Sequence, residues 1–140
     1  MRWRALRQFV LTGIHFAERQ AGRKIETEER SAFRRGLRGT GKAISLGNGC
    51  HEGLSLQLFI RGQMLIFRIN VLPEAAQNGC LETAKRVQSE LGTTLRLGSA
   101  PERKYLPIEI PICIVGHNGV VQSFEGKISL GREEGRSPGG

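Results

Sequence analysis

The chain has 140 residues, 39% hydrophobic and 24% charged, with a net charge of +8, which suits one globular domain able to bury a core without metal or disulfide staples. No apolar run is long enough to cross a bilayer and the N-terminus lacks the continuous apolar stretch of a signal peptide, so a soluble, cytoplasmic protein is expected. All thirteen acidic residues are Glu, which excludes any mechanism that needs an Asp.

The charge is unevenly placed. Residues 1–43 hold eleven Lys or Arg against four Glu, net +7, whereas residues 44–140 hold ten against nine, net +1. Cys50, Cys80 and Cys113 are odd in number and lack a CxxC spacing, which argues against a disulfide framework and a zinc knuckle and predicts three reduced thiols.

Trp3, Leu6, Phe9, Val10 and Ile14 recur at helical spacing, with Arg2, Arg4 and Arg7 on other faces and Gly13 as an interruption. The pattern fits a terminal helix packing on the domain better than a targeting peptide or a membrane-surface helix. A second helix is predicted from Thr27 as N-cap, with Glu28 and Glu29 in its first turn and Arg34, Arg35 and Arg38 before Gly39, matching the helix dipole at both ends. Its apolar stripe is short: Phe33, Leu37 and Ile25.

From Lys42 the period becomes alternating. Leu54, Leu56, Leu58 and Ile60 share one face, as do Leu65, Phe67, Ile69 and Val71, and Arg61–Gly62 joins the two segments as a hairpin. Loop signals follow at Pro73 and Asn78–Gly79. A helix is predicted over 80–91 from Leu81, Ala84, Val87 and Leu91, with Asn78 as N-cap and Gly92 past its end, followed by a short strand through Leu95 and Leu97.

Leu106, Ile108, Ile110, Ile112 and Ile114 form an unbroken apolar strand face. Pro107 and Pro111 share the opposite parity and remove two amide donors from one side, which predicts an edge strand. Asn118–Gly119 then supplies a hairpin turn into a strand through Val121 and Ser123. A short echo, Gly41-Lys-Ala-Ile-Ser-Leu-Gly47 and Gly126-Lys-Ile-Ser-Leu-Gly131, suggests two similar strand-turn units. The domain plan is a basic helical arm over 1–41, a β-rich domain over 42–130 and a Gly-, Arg- and Glu-rich disordered tail over 131–140. The predicted fold class is α+β: a small antiparallel sheet or barrel with one packed helix and basic N-terminal helices.

No catalytic constellation stands out, so a non-enzymatic binding protein without a cofactor is expected. Cys50, His51 and Glu52 are adjacent, but no second ligand pair accompanies them and no metal site is assigned. Gly39-Thr-Gly-Lys42 lacks the spacing of a phosphate loop and precedes a strand. The Arg cluster is better founded. Arg30, Arg34 and Arg38 share a helical face, and with Arg35 and Lys42 they can neutralise phosphates of RNA or DNA, the main source of non-specific nucleic-acid affinity. The amphipathic N-terminal helix is in addition a candidate surface for a protein partner.

Arg30-x-x-x-Arg34, followed by Asn48-Gly-Cys50-His-Glu-Gly53, resembles the PilZ domain, with its RxxxR arm and [D/N]-x-S-x-x-G turn. The resemblance spans residues 30 to about 73, with Cys50 where the family has Ser. It implies a small β-barrel binding cyclic diguanylate, with Arg30 and Arg34 gripping phosphate and guanine and Asn48, Cys50 and Gly53 forming the guanine-side turn. A cyclic dinucleotide and a nucleic acid are thus the two ligand classes expected.

Overall fold

Alternating apolar residues build the centre of the molecule, and two long amphipathic helices cover one side of it. The computed structural model describes residues 3–47, 49–98 and 106–131. Helix α1 (Trp3–Ala21) and helix α2 (Thr27–Arg34) lead through a 3₁₀ turn (Arg35–Arg38) into strand β1 (Ile44–Ser45) and a second 3₁₀ turn (Gly49–Gly53). Strands β2 (Leu54–Arg61) and β3 (Met64–Val71) follow, then helices α3 (Pro73–Gln77) and α4 (Cys80–Gly98), and strands β4 (Ile108–Val115) and β5 (Val121–Leu130).

The fold is α+β. Its sheet is five-stranded in the order β1-β2-β3-β4-β5 and open, not a barrel. It is also mixed, because α3 and α4 carry the chain over the sheet and return β4 parallel to β3. A crossover of this length is what a parallel pair requires, whereas the short turns at Gly62 and Gly119 keep their pairs antiparallel.

Leu56, Leu58, Leu65, Phe67, Ile69, Ile110 and Ile112 are fully buried on the covered face. Phe9, Ile14 and Ala17 of α1, Phe33 of α2, and Ala84, Val87, Leu91 and Leu95 of α4 join them in one cluster. The N-terminal helices therefore share the sheet's core. The boundary near residue 41 marks where the strands begin, and residues on both sides of it belong to one core. Gly13 does not interrupt α1: a Cβ there would lie 2.7 Å from the Phe67 ring, so glycine lets the helix cross close over the sheet.

Helix α4 runs past residue 91 to Gly98, replacing the strand expected through Leu95 and Leu97. Leu95 extends the buried stripe by i, i+4 from Leu91, and Gly92 packs mid-helix against Ile110 and Ile128 instead of ending the helix. Asn78 closes α3 rather than opening α4. The cap of α2 is Glu26, in a reciprocal capping box with Glu29, one residue before the expected Thr27.

Strand β4 is interior, not an edge, with β3 on one side and β5 on the other. Irregular pairing accommodates its proline. The ladder with β5 shifts between Pro111 and Ile112, opposite Gly126 at φ +56°, and paired positions with β3 lapse between Glu109 and Ile112. The Ile110 carbonyl accepts a 2.6 Å bond from the buried Gln88 amide of α4. The echoed segments lie on the two outermost strands, where Leu46 and Leu130 are both buried and Gly47 and Gly131 both take positive φ.

Two of the three cysteines are not free thiols, contrary to expectation: Cys50 and Cys80 form a disulfide. The fold brings the Gly49–Gly53 turn against the start of α4, a proximity that residues thirty apart do not reveal by spacing. Cys113 is free and buried on the sheet face away from α4, and burial pushes its thiol pKa up. Among the described residues no helix is long and apolar enough to cross a membrane. The tail after Gly131 lies outside the described residues.

Replacing Gln88 with Ala should cost about 1–3 kcal/mol, because it orphans a buried carbonyl. Chemical denaturation of the variant against wild type measures this. A change below a few tenths would show that the carbonyl finds another partner.

Candidate functional site

The Arg-rich turn is held by backbone contact. Gly36 sits so close to the Leu58 carbonyl that any Cβ would overlap it, and Gly41 is packed as tightly against Gly36 itself. The Lys42 amide donates to the Ala32 carbonyl at 2.9 Å, folding residues 39–42 back onto α2. Gly39, at φ +91°, makes the reversal possible. The segment with a superficial likeness to a phosphate loop is therefore the strap that anchors the Arg35–Arg38 turn.

Anchored there, the turn and the start of α1 enclose two adjoining clefts. One, of about 290 Å³, has an apolar floor of Leu6, Val10, Leu11 and Leu37, with Arg7 and Arg34 at its sides. The other, of about 300 Å³, is lined by Ser31, Arg34, Arg35 and Arg38. Trp3 and Leu37 border both. Trp3 is 61% exposed, although its spacing places it in the apolar stripe of α1. The ring is left in solvent at the border of both clefts.

Arg7, Arg34, Arg35 and Arg38 form no ion pair with a carboxylate among the described residues. Nearby Arg23 behaves differently: it grips Glu29 through two bonds of 2.8 Å. That hydrogen bonding, with the Glu26 amide adding a further bond, lowers the Glu29 pKa from 4.5 to about 2. Glu18 also falls below its ordinary value, chiefly because it accepts from the Ile25 amide at 3.0 Å, with the charges of Lys24, His15 and Arg30 assisting. Glu18, Glu26 and Glu29 thus serve a cap and local pairs, and Glu28 sits in the first turn of α2, leaving the guanidiniums around Trp3 available.

Of the residues singled out in sequence, Arg34, Arg35 and Arg38 come together here. Arg30 is half-buried on α2 and contributes to the field at Glu18 rather than to the clefts. Lys42 is exposed on the strap and borders neither cleft. Cys50 and Gly53 line a different cleft, with Cys80, Glu74 and His117, which shares no residue with the first two. The Cys50 sulfur is committed to its disulfide, and Gly53 has its Cα hydrogens packed on Ala75, where a side chain would overlap. Asn48 lies outside the described residues. Sequence reasoning misses Trp3, Arg7 and Leu37 as site residues. The available signal is the i, i+4 pair Trp3 and Arg7, which puts an aromatic and a cation on one helix flank.

No family model, no curated protein and no solved structure matches the chain.

Two outcomes follow from this geometry. Glu29 has a folded pKa below its unfolded one, so its contribution is present above pH 4.5 and is lost as pH falls towards about 2. Both partners are more than a third exposed, 42% and 35%, so the loss should be below about 1 kcal/mol. Carboxyl NMR titration and the flattened acid limb of Glu29→Gln check it. Gly36→Ala should cost more than about 3 kcal/mol, since overlap with backbone is not relieved by a rotamer change. A variant of wild-type stability would overturn the packing described for the turn.

Proposed function

We propose that this protein is a non-enzymatic binding protein for single-stranded nucleic acid, which docks on the face formed by α1, α2 and the Arg35–Arg38 turn. One observation carries the reading: an exposed Trp3 stands at clefts bordered by four guanidiniums that no carboxylate neutralises among the described residues. Arg34, Arg35, Arg38 and Arg7 take phosphate oxygens through paired donors, releasing condensed counterions. Trp3 offers a π-face on which one base stacks, with Leu37 beside it as apolar support. A single aromatic gives stacking without a reading of base edges, so little sequence preference is expected.

The cyclic-diguanylate reading draws on Arg30, Arg34 and the turn around Asn48, Cys50 and Gly53. Arg34 borders the two adjoining clefts whereas Cys50 and Gly53 border a third, separate one, which is why the nucleic-acid reading is preferred. Cyclic diguanylate is the discriminating control ligand.

Trp3 is the sole tryptophan of the chain, so its fluorescence reports on this face alone. A short oligothymidylate should quench it and bind with a slope of log K against log salt of about −3, from roughly 0.7 per neutralised phosphate. Arg34→Ala with Arg38→Ala should bring the slope to about −1.4 on the same relation, while Arg61→Ala with Arg96→Ala leaves it unchanged. Absence of quenching, or equal losses in both double variants, would sink the proposal. Saturable one-to-one or two-to-one binding of cyclic diguanylate lost on Arg34→Ala, with no oligonucleotide binding, would replace it.

A further inference from the structure

The Cys50–Cys80 disulfide lies in the cleft of about 430 Å³ on which the proposed nucleic-acid reading makes no demand. Its two halves are unequal. Cys50, on the Gly49–Gly53 turn, is exposed, whereas Cys80 is 2% exposed and is the first residue of the 19-residue helix α4. Glu52 and Glu74 face the same cleft, with His117 bonded to Glu74 at 3.0 Å. That bond lowers the Glu74 pKa, keeping it anionic. Among the described side chains, two carboxylates against one imidazole give the mouth of the cleft a net negative field. The remaining thiol, Cys113, is buried on the far face of the sheet and takes no part.

We propose that this disulfide is a thiol-exchange site, and that its substrates are neutral or cationic thiols rather than anionic ones. The exposed Cys50 Sγ is the sulfur open to attack. An incoming thiolate bonds to it, the Cys50–Cys80 bond breaks, and its electron pair leaves on Cys80 Sγ. The electron pair leaves on Cys80 because Cys50 Sγ is the sulfur that an incoming thiol can reach, and the buried Cys80 takes up a proton on release. A second thiol, from the same dithiol or another molecule, then attacks the substrate sulfur of the mixed disulfide. Cys50 is released as a thiolate and takes a proton. The substrate leaves as a disulfide, oxidised by two electrons, and the protein is reduced by two.

The test uses the full oxidised chain in native buffer, with cysteamine and glutathione as probes and alkylation followed by mass spectrometry as the readout. Reduction should be first order in thiol while the fold persists by circular dichroism. Acid quenching early in the reaction should trap the probe on Cys50 and not on Cys80. After correction for each thiol's reactivity towards a small disulfide, cysteamine should be roughly tenfold faster than glutathione at low ionic strength. Glu52→Gln with Glu74→Gln should remove that preference. In Cys80→Ala, cystamine should modify Cys50, whereas in Cys50→Ala the buried Cys80 should stay unmodified; the trapping in wild type stands even if a variant fails to fold. Reduction that is independent of thiol concentration and proceeds only at the rate of global unfolding would overturn the proposal and leave a structural crosslink. Trapping on Cys80 would overturn the assigned direction of attack, and equal corrected rates for the two thiols would overturn the charge selectivity.

Discussion

The close crossing of α1 over the sheet, at Gly13 on the Phe67 ring, is the contact on which the rest of the structure depends. A Cβ at residue 13 would lie 2.7 Å from the Phe67 ring, which is itself fully buried, so the ring or the helix would have to shift. With the helix seated, Phe9, Ile14 and Ala17 reach the same core as Phe33, Phe67 and Leu91. The connection from α1 to α2 is then short, and Ile25, held by its bond to Glu18, closes it. Close packing of this kind is intolerant of added volume, which is why one glycine governs the position of two helices.

The candidate nucleic-acid face is a consequence of that seating together with the Gly36 and Gly41 contacts. Arginine side chains are long and flexible, and on their own they define no site. Here the backbone that carries Arg35 and Arg38 is wedged against β2, and α1 brings Arg7 and Trp3 to the same place from the other end of the helical segment. Of the four local acids, three are engaged in capping, in the Arg23 pair and at the Ile25 amide, and Glu28 faces the dipole of α2. Positive charge therefore accumulates on one side without destabilising the helices that carry it.

On the other side of the molecule, β4 shows how an interior strand tolerates a proline. The pairing lapses around Pro111, a bulge opposite Gly126 absorbs the misfit with β5, and Gln88 of α4 supplies a donor to the Ile110 carbonyl. The same helix that covers the strand thus repairs its hydrogen bonding. At its N-terminus α4 holds Cys80 against the Gly49–Gly53 turn, so the crossover helix links the interior of the sheet to the disulfide cleft.

Hydropathy period is enough to read α1, α2, the β2–β3 hairpin and the start of α4 from the sequence, though not the caps of α2 and α4, because each element is specified by neighbours three, four or two residues apart. The concentration of arginine before residue 43 is legible for the same reason, and Arg34, Arg35 and Arg38 do converge. Tertiary structure alone decided that β3 and β4 run parallel, that β4 lies inside the sheet despite Pro111, and that α4 continues through Leu95. It alone brought Cys50 to Cys80 and left Trp3 exposed beside Arg7 and the arginines of a distant turn. These outcomes depend on which surfaces meet after the chain has folded back over thirty or more residues, and local periodicity carries no information about such meetings.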